Sequence, residues 1–277
     1  MNLWYALLDA LPFEWAALRF MKNALLAVLL LAPLLGLLST NVVTGRMSFF
    51  SDALGHSAFT GIAVGVLCGF SAPLGCAVLL SLVFALLFTW VRAKTRQAAD
   101  TIIGVFSSAA VALGIFIATL NGGSFTKFNQ YLIGDILSVT PGEIGLLALV
   151  LLAVGTLWAF FGGRILLTTV HPQLAASRGI SPVKYEALFT AVIAVVVTLA
   201  ISWVGLLVIN SLLVLPAAAA RNVAKNMRQY VRYSVLAALL GSVGGLLLSY
   251  AIACSAGAAI SLLLTAWFIL STLLRRD

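Results

Sequence analysis

Nine long apolar runs divide this chain and restrict its fold more than any other feature of the sequence. Their approximate limits are residues 24–44, 48–70, 73–91, 101–120, 143–163, 183–202, 204–220, 232–252 and 257–274. A helix needs about 20 mostly apolar residues to cross the hydrocarbon core of a bilayer, and barrel strands would alternate polar and apolar residues. Since 62% of the residues are hydrophobic and 9% are charged, lipid is the natural solvent. The sequence predicts an all-α, polytopic transmembrane bundle of about nine spans, with 1–277 as a single membrane domain.

The distribution of lysine and arginine predicts how these spans are oriented. With the amino terminus outside, all but three of the 16 basic residues fall on the inner side. The three on the outer side are Arg19, Lys22 and Lys127. Such a bias is typical of cytoplasmic loops. We therefore expect a multi-pass protein of a bacterial-type inner (cytoplasmic) membrane, with its carboxyl terminus in the cytoplasm.

The residues before the first span differ from the spans themselves. They lack a cationic region and a cleavage site, so no removable signal peptide is predicted. Residues 1–22 mix apolar side chains such as Trp4 and Leu7 with charged ones such as Asp9 and Glu14. This mixture favours an amphipathic helix lying in the outer interface, and a disordered leader is the alternative.

Asp52 and His56 are the ionisable residues that fall well inside a predicted span. They are four residues apart in the sequence, so a helix places them on one face. A carboxylate and an imidazole supply half of a site for a divalent transition metal. Ten residues of helix from Arg46 rise about 15 Å, which places His56 near the middle of the bilayer. A charge there costs about 2.5–3.5 kcal/mol, so a partner or a water-filled cavity is expected. The alternative is an Asp–His hydrogen bond that only joins helices.

Other residues within the spans are compatible with either a pathway or simple helix packing. Gly55, Gly61 and Gly65 permit close helix approach, or an unwound segment of the kind that lines transporter pathways. Asn210 and Ser211 precede Pro216, which frees a backbone carbonyl within its helix. We expect Asn210 and Ser211 to line the pathway, and an inter-helix hydrogen bond is the alternative.

The stretch 168–182 is predicted to form a short cytoplasmic helix between two spans. Pro172 suits the first turn of such a helix, and Gly179 suits its end. A helix in this position can dock onto a partner at the inner face of the membrane.

Several classes of protein are excluded or disfavoured by missing motifs. The sequence contains no G-x-x-x-x-G-K-[ST] phosphate loop, so ATP hydrolysis by that route is excluded. H-E-x-x-H, G-x-S-x-G and C-x-x-C-H are also absent, and the three cysteines have no metal-finger spacing. The net charge of +8 comes from short inter-helix loops, which indicates topology and not nucleic-acid binding. The missing motifs argue against a zinc protease, a serine hydrolase and a haem carrier.

Four sequence blocks carry a resemblance to a known family. They are GRMSFFSDALGHSAFTGIAVG at 45–65, DTIIGVFSS at 100–108 with ALGI at 112–115, YLIGDIL at 131–137, and VGLLV at 204–208 with LVLPAAAA at 213–220. In this order they resemble the ABC-3 family of metal permeases, which import zinc, manganese or iron.

The resemblance implies a transport mechanism and a set of partners. It implies a translocation subunit that is not itself an enzyme and that forms a permease homodimer in the lipid membrane. Its partners would be separate cytoplasmic ATP-binding subunits, which hydrolyse ATP, and an extracytoplasmic metal-binding protein. No cofactor would be bound permanently, and Asp52 and His56 would contact a transported zinc or manganese ion during alternating access. The stretch 168–182 is similar to the family's coupling helix, and its expected contacts with the ATPase are His171, Gln173, Leu174, Ala175 and Gly179.

Two positions differ from the family pattern, and rival functions stay open. His171 and Gln173 stand where relatives usually have acidic residues, and Gly55 stands where many have serine. One rival is an ion-coupled secondary transporter that uses Asp52 and His56 as a proton or ion relay. Another is a purely structural membrane subunit. The sequence does not distinguish among zinc, manganese and iron, since a carboxylate and an imidazole suit all three.

Overall fold

A computed structural model describes residues 2–9, 12–70, 73–95, 97–120 and 134–274. The helices are α1 (Asn2–Asp9), α2 (Arg19–Thr44), α3 (Phe50–Leu67), α4 (Leu74–Lys94), α5 (Ala99–Thr119), α6 (Pro141–Val170), α7 (Pro172–Ser177), α8 (Pro182–Val204), α9 (Leu206–Val223), α10 (Met227–Ile252) and α11 (Ala256–Leu273). Short 3-10 turns occur at Glu14–Ala17 and Ile136–Ser138. No strand occurs in the described ranges, so the all-helical prediction is confirmed.

Every predicted span corresponds to a helix of this fold. Among the described residues, eight helices are long and apolar enough to cross a membrane: α2, α4, α5, α6, α8, α9, α10 and α11. The remaining span corresponds to α3, which has 18 residues but carries Asp52 and His56 among several small and hydroxyl residues. Polar side chains are costly in lipid, and they make the composition of α3 less typical of a membrane-spanning helix. The orientation stays a prediction, and Arg96, Lys127, Arg275 and Arg276, on which it partly depends, lie outside the described residues.

The described residues of Met1–Thr40, Asp135–Gly155 and Trp203–Asp277 form one compact unit, here called unit 1. Its helices are joined by small polar residues, since lipid provides little hydrophobic drive for helix association. The Ser39 and Ser234 hydroxyls lie 2.8 Å apart, and Ser234 also donates to the Gly36 carbonyl at 2.7 Å. These contacts hold the carboxyl-terminal half of α2 against α10.

The amino-terminal segment of unit 1 is helical at Asn2–Asp9. The Trp4 indole donates to the Lys22 carbonyl at 3.0 Å, and the Tyr5 hydroxyl donates to Asn23 Oδ1 at 2.7 Å. Lys22 forms an ion pair with Asp9. These contacts tie α1 to the start of α2, and its placement in the outer interface stays a prediction.

The described residues of Asn41–Gly134 and Thr156–Ser202 form unit 2, which contains α3, α4 and α5. Buried aromatic rings join α3 to α4, with the rings of Phe50 and Phe88 4.9 Å apart and Phe84 beside Phe50. The Thr89 and Thr190 hydroxyls, 2.9 Å apart, join α4 to α8. Unit 2 therefore positions the helix that carries Asp52 and His56.

A single glycine separates α8 from α9, as expected from the two closely spaced apolar runs. Gly205 has φ 86° and ψ 153°, a conformation that is almost confined to glycine. We expect Gly205→Ala to cost about 1–3 kcal/mol and to lower the apparent Tm of the detergent-solubilised protein by several degrees. The matched control is Gly104→Ala, where a new methyl group would meet no atom within 4 Å. Equal melting temperatures for the two variants would contradict the strain assigned to Gly205.

Candidate functional site

The turn before α3 determines where that helix begins. Met47 N–H donates to the Val42 carbonyl at 2.9 Å, and Arg46 N–H donates to the Val43 carbonyl at 3.2 Å. This pair of bonds defines a Schellman motif at the end of α2. Arg46 occupies its left-handed position with φ 57°, where glycine is usual. The chain therefore leaves α2 sharply and begins α3 only at Phe50.

The position of His56 along its helix differs from the sequence expectation. The rise was counted from Arg46, but residues 45–49 form a turn and not a helix. His56 lies six residues after Phe50 in α3, so the helix rises about 9 Å to reach it instead of about 15 Å. Asp52 lies in the first helical turn, where the helix dipole favours a carboxylate. The pair is therefore nearer to the start of its helix than a helical count from Arg46 assumes, and the depth of His56 in the bilayer stays a prediction.

The Asp52 and His56 side chains meet on one face of α3, as their spacing predicts. His56 Nε2 lies 3.4 Å from Asp52 Oδ2. The His56 side chain is 33% exposed and the Asp52 side chain is 42% exposed. All other residues from Phe50 to Ala63 are buried. The accessible part of this stretch therefore consists of one imidazole and one carboxylate, which are ligands for divalent transition metals.

The rest of α3 packs tightly against its neighbours. A methyl group added to Gly61 would lie 2.5 Å from Ala77 Cα, so α3 and α4 are in backbone contact there. Thr60 donates to the Ala110 carbonyl of α5 at 2.6 Å. Of the two roles expected for the glycines, close approach is confirmed at Gly61, and α3 is continuous from Phe50 to Leu67. This packing fixes the face on which Asp52 and His56 lie.

The pair is incomplete as a metal site within one chain. Across the part of the chain that the structure describes, no group of three or more His, Cys, Asp or Glu residues could hold a metal ion. Structural zinc sites have four protein ligands, and catalytic sites have three. A metal ion bound by Asp52 and His56 would therefore need further ligands beyond this pair.

The residues expected along the pathway lie in α9 of unit 1. The Ser211 hydroxyl oxygen lies 2.8 Å from the Leu207 carbonyl oxygen and 2.8 Å from the Ser261 hydroxyl oxygen of α11. Asn210 is half-buried, and α9 continues through Pro216. Ser211 thus makes the kind of helix-joining contact that was the alternative to a pathway role.

The predicted cytoplasmic segment does contain a short helix, α7. Ile180 N–H donates to the Ala175 carbonyl and Gly179 N–H to the Ala176 carbonyl, both at 3.0 Å. These bonds end α7 in a Schellman motif with Gly179 at φ 73°. Leu174 is 44% exposed, whereas Ala175 is fully buried, and His171 and Gln173 are exposed. Of the five expected contact residues, Ala175 faces the protein itself.

Sequence reasoning missed a polar group in unit 2 that involves Arg92. Arg92 Nη1 donates to Glu186 Oε1 at 2.6 Å, and Nη2 donates to the Gly45 carbonyl at 3.3 Å. A cavity of about 130 Å³ beside them is also lined by Asn41, Thr168 and other residues. The sequence predicts no role for Arg92 or Glu186. Their common placement on the predicted inner side was the available signal.

These features define a class of protein, and the comparisons with known proteins define the family. The class is a multi-pass helical membrane protein with an accessible acid–imidazole pair on one helix. Residues 17–275 match the ABC 3 transport family, and the chain belongs to this family. The resemblance found in the sequence is thereby confirmed, as is the prediction of a multi-pass protein of a bacterial-type inner membrane.

Individual relatives are similar over nearly their full length. The chain is 30% identical over 248 residues to the high-affinity zinc uptake system membrane protein ZnuB of Haemophilus influenzae, covering 90% of this chain and 95% of that protein. It is 28% identical over 257 residues to the manganese import system permease protein ScaB of Streptococcus gordonii, covering 91% and 90%. The solved structure of PsaBC from Streptococcus pneumoniae in complex with a Fab matches with a TM-score of 0.78 and 26% identity, covering 98% of this chain and 94% of that one.

Proposed function

We propose that this chain is the membrane-spanning permease subunit of an ABC importer for divalent transition-metal ions, either zinc or manganese. The observation that carries the proposal is the accessible Asp52–His56 pair on the otherwise buried first part of α3. Family membership and relatives named for zinc and manganese uptake support it. The ion is cargo and not a resident cofactor.

An incomplete ligand set suits transport better than storage. An ion must bind strongly enough to enter a pathway but weakly enough to leave it. Two protein ligands per chain meet this requirement, because the other coordination positions can be filled by water and exchanged. In a homodimer, the pairs of both copies would face one central pathway, and Asn210 and Ser211 would line its wall.

Energy for the transport cycle would come from other subunits. This chain has no phosphate loop, so a separate cytoplasmic ATPase would drive alternating access and an extracytoplasmic binding protein would deliver the ion. The exposed residues His171, Gln173 and Leu174 would contact the ATPase. Ala175 and Gly179 would act by shaping α7, since one is buried and the other ends the helix.

Isotope uptake in the native host tests this function. We expect a strain without the gene to accumulate less ⁶⁵Zn or ⁵⁴Mn than its parent, and we expect a plasmid copy to restore the difference. Uptake should depend on ATP and on the co-purifying ATPase subunit. Uptake that persists without the ATPase and collapses with a protonophore would contradict the proposal and favour ion-coupled secondary transport.

Docking of the ATPase should depend on Leu174. We expect Leu174→Asp to abolish co-purification of the ATPase, because it places a charge on an exposed apolar side chain at the centre of α7. The matched control is Val223→Asp, which alters an exposed apolar residue at the end of α9. Pull-down of the solubilised complex measures both variants, and equal ATPase recovery from Leu174→Asp and wild type would contradict the role of α7.

A further inference from the structure

Arg92 joins three separate parts of unit 2 through its two terminal nitrogens. It lies in the last turn of α4, bonds to Glu186 of α8 at 2.6 Å, and bonds to the Gly45 carbonyl before α3 at 3.3 Å. The side chains of Arg92 and Glu186 are only 29% and 28% exposed. A planar guanidinium can hold two acceptors in different directions at once, whereas a lysine ammonium is a point charge on a flexible stem.

One of these contacts leads directly to the helix with the metal-binding pair. Gly45 belongs to the turn that ends α2, and its amide donates to the Asn41 carbonyl at 2.8 Å. From there, Met47 N–H bonds back to Val42, and Phe50 N–H bonds to the Met47 carbonyl at 2.9 Å. Because these bonds hold the turn to the first residue of α3, a displacement of Gly45 displaces the start of α3.

The other contact leads to residues 168–182, here called the coupling segment. Glu186 lies four residues after Pro182, where α8 begins. Pro172, the first residue of α7, lines the same cavity as Pro182, Arg92 and Glu186. Both ends of the coupling segment thus lie around the ion pair. A displacement of α7 reaches Glu186 through a few residues of helix and turn.

The cavity also offers the ion pair a second arrangement. Asn41 is fully buried, and its side-chain amide makes no hydrogen bond to another described residue. It lines the cavity together with Arg92 and Glu186. An amide can accept from a guanidinium through its oxygen and donate to a carboxylate through its nitrogen. Packed interiors shift between discrete arrangements. Here the cavity supplies the space, and Asn41 supplies the partner, for a second arrangement of Arg92.

We propose that Arg92 is a positioning residue that couples movement of α7 to movement of α3. In one state its guanidinium bonds to the Gly45 carbonyl, and in the other it bonds to the Asn41 amide oxygen, while Glu186 remains its partner. The start of α3, with Asp52 and His56, is held in the first state and released in the second. This inference rests on the proposed transport function and adds a route between its ATP-driven and ion-binding parts.

The experiment compares ion uptake with ATP hydrolysis in the intact transporter. Arg92→Lys keeps the charge but loses the pair of guanidinium nitrogens that holds two acceptors. Glu186→Gln removes the ion pair, and Asn41→Leu removes the amide that would accept from Arg92 in the second state. We expect each variant to lower ⁶⁵Zn or ⁵⁴Mn uptake per complex roughly tenfold, within the usual range of coupling between sites. ATP hydrolysis per purified complex should stay near the wild-type value. Lys94→Met, which removes an exposed charge from the same turn of α4, should change neither quantity.

Three other outcomes are distinct from the expected one. Lower complex yield with normal uptake per complex would mean that Arg92 only stabilises the fold, which overturns the inference. A parallel fall of uptake and ATP hydrolysis would indicate defective ATPase docking and would also overturn it. A wild-type complex that takes up no metal, or that is purified without an ATPase, would instead refute the proposed function itself.

Discussion

The Asp52→Ala/His56→Ala double variant is expected to reduce metal uptake to the level of a strain that lacks the gene. The substitution removes both proposed metal ligands on the accessible face of α3, and a dimer would lose both of its pairs. Fold and assembly should be preserved, since neither side chain is buried. The measurement is ⁶⁵Zn and ⁵⁴Mn uptake, normalised to the amount of complex in the membrane.

A control separates loss of ligands from loss of charge. Asp100→Ala removes an exposed carboxylate from the first turn of α5 in the same unit, and we expect uptake within about twofold of wild type because surface substitutions have small effects. Near-normal uptake by the double variant would refute metal contact by the pair. The pair would then serve only as a contact within α3.

Gly61→Leu is expected to have the second-largest effect. Even a methyl group at this position would lie 2.5 Å from Ala77 Cα and 2.7 Å from the Cys76 carbonyl oxygen. Backbone atoms cannot rotate away as a side chain can, so α3 and α4 must separate. Overpacking of a well-packed interior costs about 1–3 kcal/mol, occasionally more. We expect little folded protein in the membrane, and little uptake from the fraction that folds.

The same substitution on the facing helix provides the control. Gly75 lies at the start of α4 with no atom within 4 Å of an added methyl group, so Gly75→Leu should leave membrane levels and uptake unchanged. Size-exclusion profiles of the solubilised complexes and isotope uptake measure both effects. Equal behaviour of the two leucine variants would contradict the close helix approach at Gly61.

The helices could be predicted because the bilayer imposes a length on each apolar run. The apolar run 183–202 corresponds to the helix Pro182–Val204, and the run 257–274 corresponds to the helix Ala256–Leu273. The start of α3 was less predictable, because Arg46 adopts the left-handed conformation that is usually read from glycine. That unrecognised turn shortens the helix before His56 and places the pair nearer to the start of α3.

Parts of the site depend on contacts between residues that are distant in the sequence. Asp52 and His56 are one helical turn apart, so their common face follows from helix geometry alone. Arg92 and Glu186 are separated by 94 residues, and no local pattern indicates that they meet. The burial of Ala175 likewise depends on what lies beneath α7, which is a property of the tertiary fold.

The most direct test of the account is X-ray absorption at the zinc edge, measured on the purified permease complex loaded with zinc. The central claim predicts nitrogen and oxygen neighbours with imidazole scattering, at zinc–nitrogen distances of about 2.0–2.1 Å, and loss of the imidazole signal in His56→Ala. An identical spectrum from wild type and His56→Ala would contradict the assignment of His56 as a ligand of the transported ion.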